Sequence, residues 1–499
     1  MTFALVPLLA FTQFPDSAAD LRREIQAVRA REGAALATLL EKLEKDGEKA
    51  RASEVRALMG PAESPNGAWR FLPLPEVVPG PDKGLPSLPT VPRHPEAAKA
   101  RDRAATELLE LAGRAAKVGR PSIADECLRG VIDRRPDQAE ARRLLGYVAH
   151  QGGWATPFAI EMLKRKKVDH PTYGWIDADW VPRLEQGLLP GRVVGGKPEQ
   201  WLPAADADAL RSDILHGWEI TTAHFFIKTD VPLARAIAFG RQLEHFHQAF
   251  HSLMADVLGA EGALARRYSG KAPTAVKPHE VWYFGDKAEY VNYLKRLHGQ
   301  GVDLELGRFD PARRRGEVGR SYFYRDDAGP VPVEATLYHE ASHQLLFESG
   351  PKSGHESNVG QYWVFEGLGT YFETLEALPD GALEIGGFVG PRLALARERL
   401  VERGECVPLD KFVAMSRTRF DGAGGGDVYL NYAQAMALAV FLMQGDQGRY
   451  RDEFLDYIAD AYRGNYRRGG PAKPLFERLG TTPDALQTRF LDFLKKAPK

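Results

Sequence analysis

Cysteine is nearly absent from this chain. Cys127 and Cys406 are the only two in 499 residues, and they stand in different segments, which excludes a disulfide framework and any zinc ribbon built on thiolates. A metal here has to be held by histidines and carboxylates. An excess of charge is missing too: 66 Lys and Arg against 67 Asp and Glu leave a formal net charge of -1, so there is no electrostatic footprint for a nucleic acid. Short basic clusters, Arg313 to Arg315 and Lys164 to Lys167, are diluted by nearby acids and read as solvated faces. No apolar run approaches the roughly 18 residues of a membrane span. The opening residues MTFALVPLLAFTQ carry an apolar stretch followed by small residues, but no basic residue precedes it, so the export pattern is partial. We expect an exported protein, periplasmic or extracellular, with a cytoplasmic one as the alternative.

What is present fits a soluble multidomain chain. Hydrophobic residues make up 44% and charged residues 27%, ordinary proportions that exclude wholesale disorder, and the length suggests roughly three units of about 150 residues. After the opening segment, Leu21, Ile25, Val28, Ala35, Leu39 and Leu43 recur at helical spacing, so residues 1–60 combine a signal-like segment with amphipathic helices. Residues 61–95 are crowded with proline and read as a linker. Across 96–165, Leu111, Ala112, Ala115 and Gly119 recur 34 positions later as Leu145, Gly146, Ala149 and Gly153. Ala124 and Pro136 also fall where a tetratricopeptide unit places them. That segment resembles one and a half such repeats and suggests a protein partner, although an ordinary pair of helical hairpins gives the same pattern. Residues 166–212 alternate Tyr173, Trp175, Trp180 and Trp201 with Gly and Pro, as a connector with short strands does.

From about 213 the pattern changes. Residues 218–230 alternate like a half-buried strand, 232–258 read as a helix, and 279–286 and 321–326 as further strands. The stretch LYHEASHQLL follows, residues 337 to 346. On a helix, positions i and i+4 share a face, so His339 and His343 can present two imidazoles to one ion while Glu340 stands about 100° round, within reach of a water. Thr336, Leu337, Ala341, Ser342, Gln344 and Leu345 around them are uncharged, as a helix at the base of a cleft requires. A catalytic zinc needs a third protein ligand, and WVFEGLGTYFET offers Glu366 on a second apolar helix, with Gly367 and Gly369 small enough for close approach.

HEASH followed by EGLGTYFE resembles the gluzincin metallopeptidases, whose second helix carries an E-G-x-x-x-Y/F-x-E pattern. The resemblance runs from about residue 215 to the C-terminus and is nearest to the uncharacterised bacterial branch called peptidase MA-like. It implies His339, His343 and Glu366 as zinc ligands, Glu340 as general base, and Glu373 orienting a ligand histidine. It further implies Tyr432, in YLNYAQAMALAVFLM, as the group that hydrogen-bonds the tetrahedral intermediate, with Tyr429 as the fallback. The G-x-M-E-N stretch of aminopeptidases is absent. The expected fold is multidomain and mainly α, an α+β zincin-like domain (213–499) preceded by a helical-repeat-like segment. The expected function is zinc-dependent hydrolysis of a peptide or protein substrate. The rival reading is a scaffold that keeps the fold for binding only. His247 and His251 form a second i, i+4 pair, but no third ligand is evident and a helix surface is the simpler reading. His355, between the two metal helices, reads as exposed, and the glycine-rich loop at 421–427 as a cleft lid.

Overall fold

The computed structural model describes residues 17–59, 67–80, 94–195, 197–271, 277–299, 307–312, 317–325, 333–350, 361–388, 391–422, 424–466 and 472–496. The signal-like segment and His355 lie outside them. The chain is multidomain and mainly helical. It divides into two compact units, one of Met1–Gly60, Leu85–Leu145 and Glu261–Gly270, the other of Pro61–Gly84, Gly146–Ala260 and Lys271–Lys499. No described helix is long and apolar enough to cross a membrane.

The first unit is helical. Ala18–Lys45 opens on a capping box between Ser17 and Asp20 and buries Leu21, Ile25, Val28, Leu39 and Leu43 as the spacing predicts, but Leu36 takes the place expected of Ala35, which is exposed. Pro95–Lys117 and Pro121–Arg134 form a hairpin turned at Gly119, whose φ of +71° suits glycine. Arg134 pairs with the buried Glu32 of the first helix, and Arg267 of Glu261–Tyr268 caps the Leu144 carbonyl at 3.1 Å.

The second half-repeat expected from the 34-residue spacing does not continue as helix. After the short helix Ala139–Leu144 the chain enters a β-hairpin in which Ala149 faces Trp154 and His150 faces Gly153. Gly146 and Gly152 at positive φ open this different path. The proline-rich stretch also differs from a bare linker. Trp69–Phe71 pairs with Leu383–Ile385, and Val77–Val78 with Trp154 and Ala155, because the prolines flank these short strands and leave their ladder donors intact.

At the centre of the second unit is a five-stranded mixed sheet. Its strands are β1 (Trp218–Thr221), β2 (Phe225–Thr229), β3 (His279–Phe284), β4 (Gly307–Asp310) and β5 (Arg320–Tyr324), in the order β1-β2-β3-β5-β4. The interior pairs β2/β3 and β3/β5 are parallel, and both edge pairings are antiparallel. The stretch read as one strand at 218–230 is therefore two, since Thr222 and His224 turn the chain between them. Four helices matter for the site: α1 (Leu233–Leu253), α2 (Val333–Ser349), α3 (Trp363–Phe372) and α4 (Val428–Gly448). Each of the ten residues of α3 is buried. Trp363 stacks on Phe454 with ring centroids 5.8 Å apart. Burial of that ring sets the scale, since truncating a buried Trp costs about 3–5 kcal/mol.

Candidate metal centre

Polar ties fix α2 on the sheet. Gln344, fully buried, accepts from Ser321 Oγ at 2.8 Å and donates to the Glu280 carbonyl at 3.1 Å. A buried amide satisfied at both ends holds one register of helix on sheet, and that register turns His339 and His343 toward α3. Gly369 of α3 receives the first of them: a β-carbon there would stand 2.8 Å from His339 Cε1 and 2.9 Å from Nε2. Gly367, expected to serve the same approach, faces elsewhere. Its added carbon would meet the Ala435 carbonyl of α4 at 3.2 Å, so the two glycines seat α3 between different neighbours.

The ligand atoms converge. His343 Nε2 and His339 Nε2 are 3.1 Å apart, and Glu366 Oε2 lies 3.4 Å from the first ring's Nε2 on His339 and 3.9 Å from that of His343. Two ligands at 2.0–2.1 Å from a tetrahedral ion stand roughly 3.3 Å apart, so these donors fit a single zinc-sized cation with small adjustments. The three form a set able to hold a metal ion. Glu373 accepts from His339 Nδ1 at 2.9 Å, leaving Nε2 to face inward, and Arg392 Nε in turn donates to the other Glu373 oxygen at 2.8 Å. A carboxylate behind a ligand imidazole fixes its tautomer and raises its basicity.

The electrostatics are those of a site built for positive charge. Burial opposes a charged His339, but hydrogen bonds to Glu366 and Glu373 outweigh it and push the ring up to about 10. Burial and the neighbouring His339 charge push His343 down to about 4. One proton thus occupies a place between three donors, held by His339. Burial alone would raise Glu366, yet the two imidazoles hold it well below the usual carboxylate range.

Tyr432 opens α4 behind an Asp427 cap. It is half-buried, and burial and then the nearby Glu366 charge raise it well above the ordinary phenol range. It reaches the site as a neutral donor. Tyr429 is 70% exposed and does not reach it. Two residues were missed from sequence. Tyr362, one turn before Glu366, donates to Glu366 Oε1 at 2.8 Å, leaving Oε2 for the histidines. Its i, i+4 spacing to the acid was the available signal. Arg392 links Glu373 to Tyr432, its guanidinium carbon 5.2 Å from the phenol ring centroid, and no local pattern announces it. Glu340 is half-buried on α2 beside these groups. Edge strand β4 comes close to it, since a β-carbon on Gly307 would lie 3.0 Å from Glu340 Cγ.

Residues 333–464 match a family model described as a protein of unknown function (DUF1570). That span begins with α2 and contains His339, Glu340, His343, Glu366, Glu373 and Tyr432. Neither a curated protein nor a solved structure matches the chain.

Proposed function

We propose that this chain is a zinc-dependent peptide-bond hydrolase with a zincin-like domain. The convergence of His339, His343 and Glu366 carries the reading. Glu373 and Arg392 behind them, and Glu340 and Tyr432 beside them, fit the remaining roles. When bound, zinc supplies Lewis acidity that lowers the pKa of a coordinated water toward about 7 and polarises a carbonyl. His339, His343 and Glu366 would hold the ion, and Glu373 keeps His339 in the tautomer that presents Nε2. Glu340 takes the proton from the attacking water and returns it to the leaving amine. Tyr432 donates its hydroxyl proton in a hydrogen bond to the developing oxyanion.

An extended peptide suits the approach. Among the described strands β4 is an edge, and a chain added along it by backbone hydrogen bonds passes Glu340. The scaffold reading finds less support, because a protein kept for binding alone gains nothing from a buried set of donors and acids that costs stability without an ion.

A peptide-library cleavage profile of the wild type beside Glu340→Gln tests the proposal. The expected result is zinc content near one per chain at this site in both and a fall in turnover of about 10²–10⁴ in the variant. Equal cleavage by the two proteins refutes the assignment.

A further inference from the structure

A second histidine cluster lies in the same unit. The sequence placed His247 on a helix surface without a third ligand, yet it is buried. The strand turn before β2 brings His224 against it, rings stacked with centroids 3.8 Å apart, and His251 follows one turn along α1 at 4.1 Å. His279, the first residue of β3, pairs in parallel register with Phe225, next to His224, and its ring lies 6.0 Å from that of His247. The missing partners were 23 residues upstream and 32 downstream of His247, joined only by strand pairing.

Two carboxylates, Glu244 and Glu348, stand against these rings. Glu244 Oε2 lies 2.7 Å from His224 Nδ1, with Oε1 taking the His224 backbone N–H at 2.7 Å and Thr222 Oγ. Glu348 bonds His279 Nδ1 and accepts from Gly319 N at 2.8 Å. Glu348 occupies the outer nitrogen of His279, as Glu373 does for His339, which leaves Nε2 of His279 as the nitrogen free to ligate. On His279 that atom is buried and has no hydrogen-bond partner among the described residues. Packing alone would be served better by apolar rings, which leave no buried acceptor or donor unsatisfied.

We propose that this cluster is a second, structural site for a divalent transition metal of the zinc class. One atom each of His224, Glu244 and His247 already lie within 4.8 Å of one another; His279 is outside that set, its ring 6.0 Å from that of His247, and is the candidate to complete a four-coordinate site by a small shift. Imidazole and carboxylate donors without thiolate select zinc and its neighbours over soft ions, and the shortage of oxygens selects against calcium and magnesium. The ion would tie α1 to the starts of β2 and β3, and through Glu348 to the end of the helix that carries HEASH.

The test uses the full chain, stripped with chelator, dialysed against Zn²⁺ and counted by elemental analysis. We expect two zincs per chain in the wild type, one in His343→Ala, one in His224→Gln and none in the double variant. Added Zn²⁺ should raise the melting temperature of His343→Ala but not of the double variant. His224 is about a third exposed and glutamine is close to it in size, so the fold tolerates this change better than one at His247; circular dichroism verifies that. A wild type holding one zinc that His343→Ala loses and His224→Gln keeps overturns the second site and leaves the first standing. One zinc kept by His343→Ala and lost by His224→Gln does the reverse. No zinc in any protein overturns both.

Discussion

Gly369 lies against His339 so closely that a β-carbon on it would stand 2.8 Å from imidazole Cε1. The ring is rigid and the Glu373 contact fixes it from behind, so it cannot yield by a simple rotation. Gly369→Ala should therefore displace His339 and weaken zinc binding by about 10–100-fold, the scale seen when a ligand's orientation is disturbed. Competition with a chelating dye measures this. An unchanged affinity would mean that His339 is not a ligand.

The two tyrosines near Glu366 should separate by kinetics. Tyr432→Phe removes the donor to the oxyanion and should lower kcat by about 10²–10³ while zinc stays bound. Tyr362→Phe removes only the hydrogen bond to Glu366 Oε1, so its effect should appear in zinc affinity before it appears in kcat at saturating metal. The opposite split would exchange their roles.

Zinc binding should release a proton. With His339 pushed up to about 10 by Glu366 and Glu373, the metal-free site is protonated at neutral pH, and the ion must expel that proton to reach Nε2. Isothermal titration at pH 7.5 in buffers of different ionisation enthalpy should give about one proton released at the first site in the His224→Gln background. Affinity should rise with pH through this range. Zero release would place the resting proton elsewhere.

Stability should depend on Glu76. Burial, then the charges of Glu244 and Asp169 working against the Trp175 hydrogen bond, push this acid from 4.5 up to about 7. A raised acid favours the fold while protonated, so its contribution is full below pH 4.5 and is lost as pH rises toward 7. The shift corresponds to at most about 3 kcal/mol. Glu76→Gln, which keeps an acceptor for Trp175 Nε1, should be more stable than the wild type at pH 8 and nearly equal to it at pH 4.5, as urea unfolding of metal-free protein would show.

Local chemistry made the centre of the site legible. HEASH states its own geometry because i, i+4 spacing on a helix leaves no freedom, and the E-G-x-x-x-Y-x-E pattern places Glu366 and Glu373 seven apart on the next apolar helix. Strand β2 was visible from alternation and β3 and β5 as short aromatic-rich runs, while β4 was not, since Gly307–Asp310 has too few apolar residues to show either. Arg392 and the His224/His279 pair escaped for another reason: their partners are chosen by sheet order and helix packing, which one sequence does not display. Residue Gly146 shows the converse error, where a numerical repeat suggested a helix and a positive φ sent the chain into a hairpin.

Helix α3, all ten residues buried, would decide when the proposed cation can arrive. In the unfolded chain only the neighbouring His339 and His343 are available, a weak bidentate grip. Glu366 joins them through the same collapse that buries Trp363 and Phe372. On the zinc reading proposed above, the ion would be a late guest in a finished chamber, unlike the metal of a zinc finger, which is the nucleus of its fold.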